Sequence, residues 1–329
     1  MREDFENRNR KDIRVLLTRE MDPYVERSLD ASYTTHKIFD EKERLDFLRD
    51  RGSEIDAVVT TGLVGLKANE IALLPNVKVI HAFAVGYESV DLDAAFARDI
   101  HVSHGAGNNS FCVAEHGLAL MLAMTRRIVV GNSQARQGIW HAADPRPVIF
   151  RKKLGILGLG SIGLELARRV AAFDMEIGYH NRKPRHPHWR YFQELADMAA
   201  WCDYLFIACP GGKATFHIVN ADVLKALGPQ GYLINVSRGS VVDTRALVDA
   251  LNAGEIAGAG VDVLEGEPDV PAWVFDAPNL LLSPHIAGQS PETAIRKFEL
   301  IRDNIEACAA GKPPVTPVPE LQERQAAKV

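Results

Sequence analysis

The sequence is poor in cysteine, and its few cysteines form no recognisable pattern. The 329 residues include four, Cys112, Cys202, Cys209 and Cys308, which lie far apart with no Cys-x-x-Cys pair. This spacing argues against a zinc knuckle and against a disulfide framework. We therefore expect no bound metal and a reducing, cytoplasmic location.

Long apolar runs and an excess of positive charge are also missing. The longest runs without Asp, Glu, Lys or Arg, 100–114 and 277–291, have fifteen residues, whereas a membrane-spanning helix needs about 18 or more. The charged segment 1–11 has no apolar stretch, so we expect no secretory signal. Lys and Arg number 38 against 43 Asp and Glu, a net charge of −5, whereas a nucleic-acid-binding protein is normally basic. Neither a membrane nor a nucleic acid is therefore an expected partner.

Short runs rich in Val and Ile recur along the chain, separated by polar or helical stretches. The length allows about two domains. Alternation of strands and helices is typical of parallel α/β sheets that are covered on both faces, and we expect more than one sheet to hold these strands. The predicted strands are Ile13–Thr18, Ile55–Thr61, Val77–Phe83, Leu154–Gly158, Glu176–His180, Tyr204–Cys209, Tyr232–Val236, Gly260–Leu264 and Leu280–Ser283.

Between and after these strands, four other segments have their own patterns. Val113–Met124 predicts a long apolar helix, and 291–310 predicts another helix. The stretch 130–153 lacks periodicity and is interpreted as a connection. Four prolines from Pro313 onwards predict an extended, partly mobile tail.

A glycine-rich turn follows the strand that begins at Leu154. Gly158, Gly160 and Gly163 form Gly-x-Gly-x-x-Gly, with a helical pattern after them. The first glycine permits a tight turn, the second lets a pyrophosphate approach the backbone, and the third lets the helix pack close to the strand. The alternative is a glycine-rich turn without a ligand, but the strand before it and the helix after it favour dinucleotide binding.

The next strand ends without the acidic residue that binds the ribose 2′-hydroxyl of NAD. Asn181, Arg182 and Lys183 stand there instead, and Arg185 and Arg190 follow. Asn181 can hydrogen-bond a 2′-phosphate and Arg182 can pair with it, so the sequence predicts NADP(H) in preference to NAD(H), with NAD(H) still possible. A solvated basic loop would explain Arg185 and Arg190 but not the missing acid.

Three ionisable residues follow the ends of three later strands, where ligands bind in open α/β sheets. They are Arg238, Glu267 and His285. Arg238 can hold a substrate carboxylate, His285 can protonate a carbonyl oxygen, and Glu267 can orient the imidazole. Each residue alone has a structural explanation, but together they favour reduction of a 2-oxo acid.

These motifs in this order resemble the D-isomer-specific 2-hydroxyacid dehydrogenase family. The resemblance rests on the glycine turn, Asn-Val-Ser-Arg-Gly at 235–239, Val-Asp-Val-Leu-Glu-Gly-Glu-Pro at 261–268 and Ser-Pro-His-Ile-Ala-Gly at 283–288. Segments 84–91 and 109–115 are similar to the family's substrate loop and to the start of one of its helices. The similarity covers about residues 55 to 305.

The resemblance implies roles for further residues. Arg238, Glu267 and His285 would be catalytic, and the backbone near Val85 and Gly86 would hold the substrate carboxylate. Arg238 and His285 would also contact the substrate. The remaining cofactor contacts would come from Ser161, Ile162, Cys209, Pro210, Val236, Ser237, Asp262, Ala287 and Gly288.

The resemblance also implies an architecture of two doubly wound parallel-sheet lobes. A Rossmann dinucleotide-binding domain would comprise 105–288. A discontinuous, flavodoxin-like substrate domain would comprise 1–104 and 289–329. A homodimer would form through the nucleotide-binding domain.

Substrate choice is the least constrained expectation. The Asn-Arg-Lys strand end and the Cys209–Gly212 loop resemble the NADPH-preferring glyoxylate/hydroxypyruvate reductases, so the sequence predicts reduction of such an acid to the D-2-hydroxy acid. Reduction of 2-ketogluconate or another 2-oxo acid is an enzymatic alternative. A dinucleotide-sensing, corepressor-like scaffold is the alternative from a different class, which would not need all three ionisable residues.

Overall fold

The computed structural model of the protein describes residues 9–140 and 145–321. They form two compact units. The first unit contains the described residues up to Asn108 and those from Ser290 onwards, and the second comprises Asn109–Gln289.

The first unit contains a five-stranded parallel sheet in the order β2-β1-β3-β4-β5, which is the flavodoxin-like order. Its strands are β1 (Arg14–Leu17), β2 (Thr34–Lys37), β3 (Ala57–Thr60), β4 (Val79–Ala82) and β5 (His101–His104). The helices between them are α1 (Pro23–Ser32), α2 (Glu41–Arg51), α3 (Ala68–Ile71) and α4 (Leu92–Phe96).

The second unit contains a seven-stranded parallel sheet in the order β12-β11-β10-β9-β6-β7-β8. Its helices are α5 (Ser110–Thr125), α6 (Ile128–Arg136), α7 (Ser161–Val170), α8 (Leu195–Trp201), α9 (Ala221–Leu227) and α10 (Thr244–Ala253). Its strands are β6 (Lys153–Leu157), β7 (Glu176–His180), β8 (Arg190–Tyr191), β9 (Tyr204–Ile207), β10 (Tyr232–Asn235), β11 (Gly258–Val261) and β12 (Leu280–Leu282). The order in which successive strands are added to the sheet reverses between β6 and β9, as in Rossmann folds.

The last long helix, α11 (Pro291–Ala309), belongs to the first unit. Ser290 caps it by accepting a hydrogen bond from the amide of Thr293, and Pro291 occupies its first position. Ile301 and Ile305 of α11 join the apolar cluster on one face of the first sheet. The helix therefore completes a core that the first hundred residues begin.

The segment after α11 corrects one expectation. The sequence predicts an extended, partly mobile tail from Pro313, but residues 313–321 are packed against the first unit. Val318 is fully buried. Thr316 donates its hydroxyl to the carbonyl of His104 at 2.6 Å, and its amide donates to Asn304 at 3.1 Å. The end of the predicted tail, 322–329, lies outside the described residues.

The two doubly wound parallel sheets confirm the predicted fold class. Every predicted strand overlaps an observed one, and the two long predicted helices are present as α5 and α11. Strands β2, β5 and β8 were not predicted, and the stretch interpreted as a connection contains most of α6. Within the described ranges, no helix is long and apolar enough to cross a bilayer.

Candidate active site

The glycine turn joins β6 to α7. Gly158 has a φ of +97°, and a Cβ there would lie 2.5 Å from the amide nitrogen of Cys209. A Cβ at Gly163 would lie 2.6 Å from the carbonyl oxygen of Gly158. Gly160 differs, because a Cβ there would meet no atom within 4 Å. Packing therefore requires glycine at 158 and 163, whereas Gly160 leaves the space in front of the turn open.

The start of α7 has the features of an anion site. Gly160 is the N-cap residue, and no side chain in the described ranges accepts a hydrogen bond from the first-turn amides. These amides carry the positive end of the helix dipole. Together with the open space at Gly160, they fit the pyrophosphate of a dinucleotide. Ser161 and Ile162, both predicted cofactor contacts, begin this helix.

Asn181, directly after β7, is tied to the same turn. Its Oδ1 accepts a hydrogen bond from the amide of Leu159 at 2.7 Å. The side-chain carbonyl is therefore occupied, and the Nδ2 group has no partner in the part of the chain that the structure describes. Position 181 thus offers a ligand hydrogen-bond donors, where an acidic residue would offer acceptors.

The basic loop after Asn181 is held by a buried tyrosine. The Tyr179 hydroxyl accepts hydrogen bonds from the amides of Arg185 and His186, both at 2.9 Å. Arg182, Lys183 and Arg185 are exposed and make no ion pair with any described residue. Arg190 is different, since it lies in β8 with its guanidinium 4.6 Å from the centre of the Phe192 ring. Three of the four basic residues therefore remain available to an anion.

Arg238 follows β10 in a turn organised by Asn235. The Asn235 Nδ2 donates to the carbonyl of Arg238 at 3.1 Å, and its Oδ1 accepts from both the amide and the hydroxyl of Ser237 at 3.0 Å. A Cβ at Gly211 would lie 2.8 Å from Arg238 Cγ, so the loop after β9 contacts the arginine stem. This loop includes Cys209 and Pro210, while Val236 and Ser237 are buried beside Arg238.

Glu267 and His285 are in direct contact. His285 Nδ1 lies 3.0 Å from Glu267 Oε1, and the side chains are 53% and 33% exposed, respectively. A carboxylate accepts the proton on Nδ1, which leaves Nε2 as the nitrogen that can give a proton to a ligand. Arg238 lies at the carboxyl end of β10, which is separated from β12 only by β11. All three predicted catalytic residues therefore follow neighbouring strands.

Asp262 holds the turn that carries His285. Its carboxylate is almost fully buried and accepts hydrogen bonds from the amides of Ile286 and Ala287, both at 3.0 Å. Gly288, at the end of this turn, lies against Asn109, with a built Cβ 2.7 Å from its Nδ2. Asp262, Ala287 and Gly288 therefore form one structural element beside the imidazole.

The predicted substrate loop belongs to the first unit. Val85 and Gly86 follow β4, and the Val85 side chain is 47% exposed. The Val85 carbonyl accepts a hydrogen bond from His104 Nδ1 at 2.8 Å. Val85 and Gly86 thus belong to the first unit, whereas the three predicted catalytic residues belong to the second.

Two histidines of the second unit lie outside the predicted site residues. His217 Nε2 lies 2.6 Å from Glu265 Oε1 and joins the loop after β9 to the loop that carries Glu267. His116 of α5 contacts Ser283 before the His285 turn. Their partners are 48 and 167 residues away in sequence, so no local pattern indicated either contact.

Comparison with known proteins decides the family. Residues 118–287 match the NAD-binding domain of the D-isomer-specific 2-hydroxyacid dehydrogenases, more than half of the chain. The protein belongs to this family. A hydroxyphenylpyruvate reductase from Plectranthus scutellarioides is 37% identical over 309 residues, which cover 93% of this chain and 99% of the relative.

Two further relatives of this dehydrogenase carry other substrate names. A 2-ketogluconate reductase from Gluconobacter oxydans is 36% identical and matches 90% of this chain and 95% of its own. The solved structure of an NADPH-dependent glyoxylate/hydroxypyruvate reductase from Sinorhizobium meliloti, in complex with NADP and malonate, is 36% identical with a TM-score of 0.77. The match covers 94% of this chain and 97% of that one. The protein is thus an NAD(P)-dependent 2-hydroxyacid dehydrogenase or reductase, with a nicotinamide dinucleotide as its cofactor.

Proposed function

We propose that this dehydrogenase uses NADPH to reduce a small 2-oxo acid of the glyoxylate/hydroxypyruvate class to the D-2-hydroxy acid. The observation that carries the proposal is the contact of 3.0 Å between His285 Nδ1 and Glu267 Oε1. The pair and the glycine turn come after strands of the same seven-stranded sheet. It supplies an oriented proton donor at the edge where a dinucleotide fits.

Each of the three residues has a chemical role in the reduction. The reduced nicotinamide, when bound, supplies the hydride that the carbonyl carbon accepts. His285 gives the proton on Nε2 to the carbonyl oxygen, which becomes the hydroxyl, and the neutral imidazole then regains a proton from solvent. Glu267 stabilises the positive charge of the imidazolium before this transfer. Arg238 binds the substrate carboxylate and polarises the carbonyl.

The preference for NADPH rests on the end of β7. Asn181 offers donors, and Arg182 and Lys183 are unpaired cations among the described residues. A 2′-phosphate is a strong acceptor for both kinds of group, whereas the 2′-hydroxyl of NADH gains little from the cations. NADH remains a possible, weaker cofactor. The NADPH-dependent relative from S. meliloti supports the same preference.

Oxidation of NADPH with a panel of 2-oxo acids tests this function. We expect the largest kcat/KM with glyoxylate or hydroxypyruvate. The panel includes 2-ketogluconate and hydroxyphenylpyruvate, because relatives carry these names. His285→Ala should lose about 10²–10⁴-fold in kcat, as expected for removal of a general acid. Wild-type inactivity on every acid, or full activity of His285→Ala, would contradict the proposal.

We further propose 105–288 as the dinucleotide-binding domain, and 1–104 with 289–329 as the substrate-binding domain. We also propose a cytoplasmic location, which is consistent with four unpaired cysteines.

We propose that two copies of the chain form a homodimer through the dinucleotide-binding domain. The dimer proposal draws on exposed apolar side chains of this domain, because protein–protein contacts often cover such side chains. These are Ile128, Val129, Val130, Ile139, Trp140 and Phe150. Light scattering should give about twice the 36.2 kDa of one chain, and Val129→Asp should lower this mass.

A further inference from the structure

A histidine outside the predicted set contacts the support of the His285 turn. His116 lies in α5, and its Nε2 is 2.8 Å from Ser283 Oγ and 3.4 Å from Asp262 Oδ1. Its side chain is only 25% exposed. The contact links the first helix of the second unit to the end of its last strand, 167 residues later.

The directions of these hydrogen bonds follow from the chemistry of the groups. Asp262 as a carboxylate only accepts, so Ser283, 2.5 Å away, donates its single hydroxyl proton to Oδ1. Ser283 Oγ must then accept from His116, which places a proton on Nε2. The result is a directed chain from His116 through Ser283 to Asp262.

Asp262 in turn restrains three successive residues. Its carboxylate accepts from the amides of Ile286 and Ala287, and its backbone carbonyl accepts from the amide of His285 at 2.9 Å. His285 has a φ of +54°, in the left-handed region that side chains other than glycine seldom occupy. Such a conformation persists only where the surroundings fix it.

We propose that His116 is a positioning residue for catalysis. It acts through Ser283 and Asp262 to keep the His285 turn in its left-handed conformation, with the imidazole against Glu267. The inference rests on the proposed role of His285 as the general acid. A small displacement of a reacting group can cost as much as about 100-fold in rate, so a residue that touches no substrate can still limit kcat.

Paired variants separate hydrogen bonding from packing. His116→Leu keeps a side chain of similar size but loses the donor, and we expect kcat to fall by about 10-fold or more with little change in the KM of the 2-oxo acid. His116→Gln keeps a donor and should restore most of kcat. Ser283→Ala should match His116→Leu, and the double variant should be no worse than either, because both break one chain.

A control on the same helix measures a purely structural loss. Thr125 donates a buried hydrogen bond to the carbonyl of Met121 within α5. Thr125→Val should lower Tm while leaving kcat unchanged. Equal kcat in His116→Leu and the wild type would overturn the inference, as would a kcat loss in Thr125→Val equal to that of His116→Leu.

Hydrogen exchange adds a readout that does not depend on activity. The amides of Ile286 and Ala287 should exchange faster in His116→Leu than in the wild type, and faster than in Thr125→Val. Unchanged exchange at these amides would overturn the inference even if the enzyme reduced none of the acids tested. Conversely, full activity of His285→Ala would contradict the proposed function while leaving the exchange result intact, so the two failures are distinguishable.

Discussion

At the scale of single residues, the side-chain amide of Asn181 is bound through its oxygen, while its Nδ2 group has no partner among the described residues. The hydrogen bond from Leu159 to its Oδ1 fixes which half is available. An aspartate could accept the same hydrogen bond but would bring a negative charge and no donor. In the proposed NADPH complex, position 181 therefore contributes to the cofactor preference through its Nδ2 group.

Asn181→Asp should reverse the cofactor preference. We expect kcat/KM for NADPH to fall by about 10- to 100-fold, as expected for the loss of a charge-assisted hydrogen bond. The value for NADH should be kept or increase. Initial rates with both cofactors measure the ratio. Asn252→Asp, an exposed change in α10, is the matched control, and an unchanged ratio in Asn181→Asp would refute the assignment.

The cysteines provide a second prediction at this scale. Burial raises the pKa of Cys209 to about 11 and those of Cys202 and Cys308 to about 12. Because the thiolate is the reactive form, these three thiols should resist iodoacetamide at pH 8, while the partly exposed Cys112 reacts first. Peptide mass spectrometry reads the sites. Rapid labelling of native Cys209 would count against its buried position beside Gly158.

The motifs of the site could be read from the sequence because each is local. The glycine turn lies within six residues, and Arg238, Glu267 and His285 each follow a recognisable apolar strand. The contacts of His116 and of the Tyr179 hydroxyl could not be read in this way. They depend on which elements become neighbours after folding, and a single His or Tyr in an apolar segment usually indicates only a core position.

At the scale of elements, the basic loop depends on the strand beneath it. The Tyr179 hydroxyl holds the amides of Arg185 and His186, and the Tyr191 hydroxyl donates to the carbonyl of Asn181 at 3.1 Å. The loop that carries Arg182 and Lys183 is therefore fixed at both ends. A fixed loop loses little entropy when it binds a phosphate.

Tyr179→Phe tests this restraint. Loss of the hydroxyl should raise the KM for NADPH by about 2- to 10-fold, the effect of a typical net hydrogen bond. The KM for NADH should not change. Tyr232→Phe is the matched control in the same sheet, because no described residue hydrogen-bonds its hydroxyl. Equal changes for both cofactors would show that the tyrosine supports the fold rather than the loop.

Physical reasons explain why the sequence did not predict three of the strands. β2, Thr34–Lys37, is a polar edge strand without a fully buried side chain. β5, His101–His104, contains Ser103, whose burial depends on its hydrogen bond to His81 at 2.8 Å. β8 has only two residues. Apolar periodicity finds strands that face apolar neighbours, and it does not find those defined by polar partners or by a short edge.

At the scale of the whole molecule, stability should depend on a buried histidine in the first sheet. Burial, and to a smaller extent the positive charge of His104, lower the pKa of His81 from 6.5 to about 3. Below pH 6.5 the unfolded chain takes up a proton that the folded chain excludes. The free energy of unfolding should therefore fall by about 1.4 kcal/mol per pH unit as the pH decreases from 6.5 towards 3.

The double variant His81→Leu, Ser103→Ala removes both polar partners and should remove this dependence. Between pH 7 and pH 5, the loss of unfolding free energy should be smaller than in the wild type by about 2 kcal/mol. Urea denaturation at the two pH values measures it. His188→Leu, an exposed change, should behave like the wild type. An equal pH-dependent loss in the double variant and the wild type would refute the role of His81.

The packed segment after α11 has a consequence for the order in which the protein is made. Pro317 bridges to Ser103, and Val318 fills the core of the first unit. The second unit, by contrast, is one continuous stretch that ends at Gln289. On the ribosome, all of the second unit is therefore made before Val318, which the core of the first unit requires.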